Sequence, residues 1–301
     1  MTSSNTPAPH SSLDSIPAFQ RANVRYPKGV RRQVGDAVLS LFRAPTDDID
    51  KDTELLYGES VTVYDSLSGV DELGGFANQK EAEDPYRWSF VQNDADNYAG
   101  YVRSNGLCED IHNPTHVVQA VATFVYAHPD IKSPPLRRLD MGARVTTTET
   151  IETFLRDARG GWVCAQHLKT LGDHKRDYAG LALQFIETPY LWGGKSSLGL
   201  DCSGLVQIVL DQCGIAAPRD SGDQVQTLGH SLGDSAIKGD FSQLARGDLV
   251  FWRGHVGIYV DAHTFVHANA TDMKVSAAPL SVVAPAIEAA TGDGVTDIRR
   301  L

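Results

Sequence analysis

A cysteine in the last third of the chain has the setting of a nucleophile. Cys202 lies in the segment Leu-Asp-Cys-Ser-Gly-Leu, at the start of a run whose apolar residues share one helical face. A thiol in the first turn of a helix faces unpaired N–H groups and the positive end of the helix dipole. Both favour the thiolate, so the sequence predicts a pKa lowered from about 8.5 into the range of about 3.5–7.5. The predicted chemistry is nucleophilic attack by this sulfur.

Two histidines downstream of Cys202 provide a candidate base. His255 and His267 begin and end a segment whose midpoint is Asp261, and the residues around that midpoint favour a turn. In a hairpin centred there, the two imidazoles stand opposite each other, with Cβ atoms about 4.5–5.5 Å apart. One ring can then take the thiol proton while the other sets its tautomer and orientation. His263 falls in the turn and is predicted to be solvated.

Composition limits the function classes. The 301 residues carry 27 basic and 38 acidic side chains, a formal net charge of −11. Nucleic-acid binding needs clustered Lys and Arg, so this balance argues against a nucleic-acid partner and against an anionic membrane surface. The four cysteines are too few and too scattered for a disulfide framework, and no histidine pair has zinc-ligand spacing. We therefore expect neither a metal nor a cofactor.

Three changes of pattern divide the chain. Residues 1–32 are rich in Pro, Ser and basic residues and are predicted to be an N-terminal arm. Short alternating segments separated by turn residues follow, which predicts two small all-β barrels over 33–107 and 108–172. The acidic stretch from Asp65 to Asp84 is predicted to be a long loop between two strands of the first barrel. A single larger β-sandwich is the alternative.

The last part of the chain, 173–301, is predicted to be an α+β domain that positions Cys202 and the histidines. Helical spacing is present over Asp177 to Glu187 and over Cys202 to Cys213, and strand-like segments follow. Helices first and strands afterwards are typical of this class. Cys108, Cys164 and Cys213 lack the context of a reactive thiol.

The blocks around the three candidate residues resemble those of the NlpC family of bacterial cell-wall cysteine peptidases. The blocks that carry the resemblance are Tyr-Leu-Trp-Gly-Gly at 190–194, Cys-Ser-Gly-Leu at 202–205, Pro-Arg-Asp-Ser at 218–221, Arg-Gly-Asp-Leu-Val-Phe-Trp at 246–252, Gly-His-Val-Gly-Ile-Tyr at 254–259 and Val-His-Ala at 266–268. The match covers nearly all of Asp173 to Leu301. The two β modules resemble bacterial SH3-like domains, an order similar to that of γ-D-glutamyl-L-diamino-acid endopeptidases that recycle murein peptides.

This resemblance implies a papain-like α+β fold and a role for each residue of the triad. Cys202 is expected to be the nucleophile, His255 the general base and His267 the residue that orients it. The bond cleaved would join γ-linked D-Glu to a diamino acid in murein peptides that begin with L-Ala. Candidate donors for the oxyanion are the N–H of Cys202 and the hydroxyl of Tyr190.

The resemblance also implies a set of substrate contacts. Asp201 beside the nucleophile, together with a tyrosine and a glutamate of the first SH3-like domain, would bind the ammonium group of L-Ala. Tyr98 fits the tyrosine position, and Glu59 is chosen for the glutamate, with Glu54 as the alternative. Further residues match positions that line the pocket, and helix or turn capping is their structural alternative: Ser203, Asp220 and Ser221.

Two other functions use the same residues. Thioester chemistry does not dictate the acceptor, so a Cys-His amidase or acyltransferase is the alternative enzyme. A murein-binding protein without catalysis is the alternative outside enzymes. A basic segment followed by an apolar one is absent at the start, and no run of 18 apolar residues occurs. These features lead us to expect a cytoplasmic protein.

Overall fold

The computed structural model describes residues 29–67, 87–237 and 241–301. The chain divides into two compact units, one ending at His112 and one comprising Asn113–Leu301. Most of the predicted arm, residues 1–28, lies outside the described residues. So does most of the predicted loop, of which only 65–67 are described, as the end of a strand.

The first unit is all-β. Its strands form one antiparallel sheet in the order β3-β2-β6-β5-β4-β1-β7. In the described residues this sheet has two edge strands, β3 and β7, so the predicted barrel is an open sheet. The edge strands have four and two residues and offer few backbone hydrogen bonds with which the sheet could close. The strands are β1 Val30–Val34, β2 Val38–Phe42, β3 Thr53–Leu56, β4 Ser60–Leu67, β5 Trp88–Asn93, β6 Ala99–Arg103 and β7 Leu107–Cys108.

Alternation along these strands builds the core of the first unit. In β2, Leu39 and Leu41 are buried and their neighbours are half-buried, as expected when successive side chains point to opposite faces of a sheet. The buried cluster consists of Val34, Leu39, Leu41, Leu55, Val61, Val63, Val91, Tyr98 and Val102.

The second unit begins with a further β region. It has a five-stranded sheet in the order β10-β9-β14-β13-β12 and a three-stranded sheet in the order β11-β8-β15. The predicted order of a β-rich region ahead of a mixed domain is confirmed, with open sheets, while the predicted domain bounds stay predictions. The strands are β8 His116–Val118, β9 Ala122–Tyr126, β10 Pro135–Asp140, β11 Arg144–Val145, β12 Thr147–Ile151, β13 Phe154–Asp157, β14 Trp162–Cys164 and β15 Leu168–Thr170.

The rest of the second unit packs helices on an antiparallel sheet, as predicted. The helices are α1 Tyr178–Leu183, α2 Cys202–Gln212, α3 Ser221–Thr227, α4 Asp234–Ile237 and α5 Leu280–Thr291. A small hairpin, β16 Lys195–Ser196 with β17 Gly199–Leu200, precedes α2. The main sheet has the order β18-β23-β19-β20-β21-β22. Its strands are β18 His230–Ser231, β19 Leu249–Trp252, β20 His255–Asp261, β21 Thr264–Asn269, β22 Lys274–Ala278 and β23 Asp297–Arg300.

Helix α2 is the central element of this domain. Leu205, Val206 and Val209 are fully buried, and only Asp211 of its eleven residues is not classed as buried. A helix that is apolar on most faces belongs in a core, and here α2 packs on β20 and β21. None of the helices within 29–67, 87–237 and 241–301 is long and apolar enough to cross a bilayer.

Candidate active site

Cys202 is the first residue of α2, as the sequence predicts. The preceding residue, Asp201, caps the helix: its Oδ1 accepts a hydrogen bond from the N–H of Gly204 at 2.7 Å. The second oxygen, Oδ2, accepts from the N–H of Gly193 at 2.9 Å. The cap therefore fixes both the start of α2 and the loop that leads to it.

The surroundings of the thiol differ from the prediction. Burial, followed by the nearby Asp201 carboxylate, raises the pKa of Cys202 to about 12, although backbone N–H groups of Val256 and Ser203 lower it. Removal from water disfavours the thiolate more than the helix N-terminus favours it. The S–H group points to the carbonyl oxygen of Gly254, with 3.9 Å between the heavy atoms. The resting sulfur is therefore a neutral thiol, and the predicted lowering of its pKa is wrong.

The two histidines lie on neighbouring strands, but the predicted register is wrong. The hairpin pairs Ile258 with Val266 and Tyr259 with Phe265, with a bulge before Asp261, so the pairing is shifted by two residues. A shift of two keeps every side chain on its original face. His255 and His267 consequently still meet, diagonally rather than directly opposite.

The diagonal contact between His255 and His267 needs a glycine at position 257. A Cβ on Gly257 would lie 2.3 Å from the Phe265 ring and 2.9 Å from the Cβ of His267. The Nε2 atom of His255 lies 2.9 Å from Nδ1 of His267. Since Gly254 and Val256 both contact the Cys202 sulfur, His255 lies between two residues that touch this sulfur.

Both imidazoles are neutral in the resting site. Burial, with a smaller contribution from His267, lowers the pKa of His255 to about 3. Burial also lowers the pKa of His267 to about 4, against the opposing effect of the Asp272 carboxylate. Desolvation disfavours the charged form of each ring. The site therefore holds a thiol and two neutral imidazoles rather than an ion pair.

A polar group that the sequence patterns did not reveal lies behind His267. The amide nitrogen of Asn269 lies 3.3 Å from Nε2 of His267, 2.8 Å from Oγ of Ser276 and 3.2 Å from Oδ2 of Asp272. The hydroxyl of Ser276 donates to the same carboxylate oxygen at 2.8 Å. Asn269 is two residues after His267, so the period of a β-strand could have placed it on the same face.

Arg219 is a second residue that sequence analysis missed. Its guanidinium donates to both oxygens of Asp201, at 3.0 and 2.6 Å, and to Oγ of Ser203 at 2.9 Å. The side chain is only 1% exposed. Such a fork-to-carboxylate pair is strong and geometrically specific. The Pro-Arg-Asp-Ser block contained the signal, because an arginine beside predicted pocket residues needs an anionic partner.

The other predicted residues of this unit lie around the start of α2. Burial, followed by the nearby Cys202 and Asp201, raises the pKa of Tyr190 to about 12, so its hydroxyl keeps its proton and can donate. Ser203 is buried, and its hydroxyl donates to Oδ1 of Asp201 at 3.3 Å. Asp220 and Ser221 are half-buried at the start of α3. Asp201 is occupied by Arg219 and two backbone N–H groups, and its contact with an ammonium group stays a prediction.

The substrate contacts predicted from the first unit stay predictions as well. Tyr98 is 6% exposed and belongs to that unit's core. Glu59 is half-buried, and its Oε2 accepts from the N–H of Leu56 at 3.1 Å. Glu54 is buried and forms an ion pair with Lys51.

The second β region contacts the C-terminal end of α2. The buried Lys169 donates to the carbonyl of Gln212 at 2.6 Å, and the Gln212 amide donates to the carbonyl of Val118 at 3.1 Å. Arg144 forms an ion pair with Asp211. A cation at the last turn of a helix is favourable for the helix dipole. Within the described parts of the chain, no group of three or more His, Cys, Asp or Glu side chains forms a metal cluster.

Comparison with known proteins finds a family model and curated relatives that are similar to this chain. Residues 187–288 match the model of the NlpC/P60 family. The chain is 28% identical over 253 residues to dipeptidyl-peptidase 6 of Lysinibacillus sphaericus, a match covering 76% of this chain and 84% of that protein. It is 31% identical over 105 residues to a γ-D-glutamyl-L-lysine dipeptidyl-peptidase of Bacillus cereus, covering 32% of this chain and 29% of that protein.

A solved structure shares the fold over most of the length. An NlpC/P60 family protein from Bacillus cereus aligns with a TM-score of 0.67 at 18% identity, covering 90% of this chain and 99% of the other. At that identity the similarity concerns the fold, including the β regions ahead of the mixed domain.

Proposed function

We propose that this protein hydrolyses the bond between γ-linked D-Glu and an L-diamino acid in murein peptides, because residues 187–288 match the NlpC/P60 family and the relatives above are peptidases. The observation that carries the proposal is that a thiol at a helix start contacts the residues on both sides of His255, whose Nε2 lies 2.9 Å from Nδ1 of His267 on the adjacent strand. The names of the two peptidases above, one of which acts at a γ-D-glutamyl-L-lysine bond, support the substrate class.

The proposed reaction begins with proton transfer from the Cys202 thiol to His255. The sulfur attacks the γ-amide carbonyl, and the resulting oxyanion accepts hydrogen bonds from the Cys202 N–H and the Tyr190 hydroxyl. Collapse breaks the C–N bond, and the proton held by His255 goes to the leaving amine. Water then hydrolyses the thioester with His255 as base, which restores the thiol.

The resting protonation states require that substrate binding starts this sequence. A thiol whose pKa is about 12 and an imidazole whose pKa is about 3 do not exchange a proton while both are buried and neutral. General acid–base help of this kind contributes about 10²–10⁴-fold when the pKa values are matched. In the proposal, the bound peptide supplies the polar groups that bring the two values together.

We further propose that the substrate has a free N-terminal L-Ala and that the protein recycles peptides in the cytoplasm. Asp201 and the pocket residues Ser203, Asp220 and Ser221 lie at or near the start of α2, where the peptide preceding the cleaved bond would bind. Comparing free and N-acetylated peptides tests this part. Equal cleavage of both would contradict it.

The test of the activity uses L-Ala-γ-D-Glu-diaminopimelate and the full chain. Wild type should release the dipeptide L-Ala-D-Glu, and Cys202→Ala should abolish release while its circular dichroism and Tm stay unchanged. An intact peptide after incubation with wild type would reject the proposed hydrolase. Transfer of the dipeptide to an added amine in preference to water would favour the acyltransferase.

A further inference from the structure

The amide orientation of Asn269 is set by its neighbours. Its Oδ1 accepts a hydrogen bond from the backbone N–H of Asp272 at 2.8 Å. Turning the amide over would place its NH2 group against that N–H, two donors face to face. The NH2 group therefore faces the opposite way, towards the Ser276 hydroxyl, the Asp272 carboxylate and Nε2 of His267.

An amide NH2 group donates hydrogen bonds and accepts none. Its two hydrogens face three neighbours, so the hydrogen nearest Nε2 of His267, 3.3 Å away, is shared with the Asp272 carboxylate. A hydrogen on that Nε2 would point at a group that cannot accept it, so Nε2 presents a lone pair. Asn269 and His267 are buried, with 8% and 6% exposure, so water does not substitute for this partner. A neutral imidazole carries one hydrogen, and here it must be on Nδ1. That hydrogen points along the 2.9 Å contact to Nε2 of His255.

We propose that Asn269 is a positioning residue that fixes His267 as the Nδ1–H tautomer, so that His267 donates to His255 and not the reverse. The meaning for catalysis rests on the proposed peptidase function. With Nε2 of His255 accepting this hydrogen bond, the single hydrogen of that neutral ring is on Nδ1. Neither nitrogen of His255 then has a free lone pair for the thiol proton. The resting protein is held in an unreactive proton arrangement.

Activation in this scheme is a reversal of the hydrogen-bond chain. The shared hydrogen moves from Nδ1 of His267 to Nε2 of His255. When local opening of the site admits water, the water takes the hydrogen from Nδ1 of His255 and supplies one to Nε2 of His267, so the number of protons is unchanged. The Asn269 amide must turn to present its oxygen to the new Nε2–H group. Nδ1 of His255 is then free to accept the proton of Cys202.

Nitrogen NMR of the full chain labelled with ¹⁵N-histidine tests the tautomer directly. Long-range ¹H–¹⁵N correlation near neutral pH distinguishes protonated from unprotonated ring nitrogens, and loss of one signal set in His267→Gln assigns the ring. Wild type should show His267 with Nε2 unprotonated. A hydrogen on Nε2 of His267 in the free protein would overturn the proposal. His263→Gln, a change in the turn after β20, is the matched control and should leave the His267 signals unchanged.

Asn269→Asp provides the second arm. A carboxylate oxygen in place of the NH2 group accepts a hydrogen bond, so His267 should carry its hydrogen on Nε2. With the base nitrogen freed more often, kcat should rise by about three- to tenfold at unchanged KM, an effect confined to the step after binding. A folded variant that keeps the Nδ1–H tautomer, or that reverses it while kcat falls, would overturn the proposal.

The two proposals fail in different ways. If wild type cleaves no murein peptide, the proposed function is wrong, while the nitrogen signals still decide the tautomer. If Asn269→Asp is unfolded by circular dichroism, the wild-type spectrum alone decides, and Asn269→Ala replaces it as the variant in which the tautomer should no longer be fixed.

Discussion

The two ends of α2 differ in how they are held. At its first residue, Cys202 lies against a buried carboxylate–guanidinium pair, Asp201 with Arg219. At its last residue, Gln212 is bound by Lys169 and by the carbonyl of Val118 from the second β region. The contacts at the first end surround the Cys202 thiol, and those at the second end surround a backbone carbonyl. A helix N-terminus therefore does not by itself make a thiolate, because burial at the same end acts in the opposite direction.

Removing the guanidinium at the N-terminal end of α2 should have the largest effect on stability and so best distinguishes the two ends. Arg219→Met leaves the Asp201 carboxylate buried without its cation, and breaking such a pair costs about 3–5 kcal/mol. Chemical denaturation should show this loss in the free energy of unfolding. The double variant Asp201→Asn/Arg219→Met should recover much of it, since Asn still caps a helix. Equal stability of wild type and Arg219→Met would contradict the account of this end.

Acid should destabilise the second unit through the histidines of the site. Both have a folded-state pKa below the ordinary 6.5, about 3 for His255 and about 4 for His267. Below pH 6.5 the unfolded chain takes up protons that the folded site does not, so stability falls from there down towards pH 4. Each histidine contributes up to about 1.4 kcal/mol per pH unit.

Denaturation as a function of pH measures this slope. His267→Gln removes one of the two groups and should flatten the slope between pH 6.5 and 4, while His263→Gln should leave it as in wild type. An unchanged slope in His267→Gln would show that this ring is solvated in the folded protein.

The far end of α2 should contribute less, and to stability rather than to chemistry. Lys169→Met keeps most of the buried volume but removes the charged donor from the Gln212 carbonyl, which still accepts from the N–H of Lys175 at 2.9 Å. We expect a loss of about 1.5–3 kcal/mol, the range for a hydrogen bond to a charged group. The measurement is the midpoint of thermal unfolding, and kcat per folded molecule should not change. A fall in kcat at full folding would mean that the two ends are coupled.

Arg144→Ala should have the smallest effect. Its ion pair with Asp211 is partly exposed to solvent, with side-chain exposures of 21% and 36%. Pairs of this kind contribute about 0.2–1 kcal/mol. Urea denaturation at low and at high salt should show a small loss that salt removes. A loss above that of Lys169→Met would reverse the ranking of the two contacts.

Local sequence patterns predicted the elements of the site better than its electrostatics. The start of α2 at Cys202 followed from apolar spacing, and His255 and His267 followed from strand alternation. The turn pairs Asp261 with Thr264 instead of centring on Asp261, and the bulge between Tyr259 and Asp261 then leaves the strands two residues from the predicted register. No residue type in the sequence indicates such a bulge. Each side chain still points to the predicted side of the sheet, because the register shift is an even number of residues.

Long-range partners account for the rest of what the sequence did not predict. Arg219 meets Asp201 across 18 positions, so its role depends on how α3 folds back on α2. The raised pKa of Cys202 depends on burial, which the whole domain creates. Strand alternation could have predicted that Asn269 lies on the same face as His267. The orientation of its amide, however, depends on the turn at Asp272.

The neutral thiol of Cys202 also bears on the chemical durability of the protein. Peroxides and alkylating agents attack thiolates far faster than thiols. Cys202 is 7% exposed and its pKa is raised, so little thiolate is present and dissolved reagents hardly reach the sulfur. In the resting protein, Cys202 is therefore protected from oxidation to sulfenic and sulfinic acid.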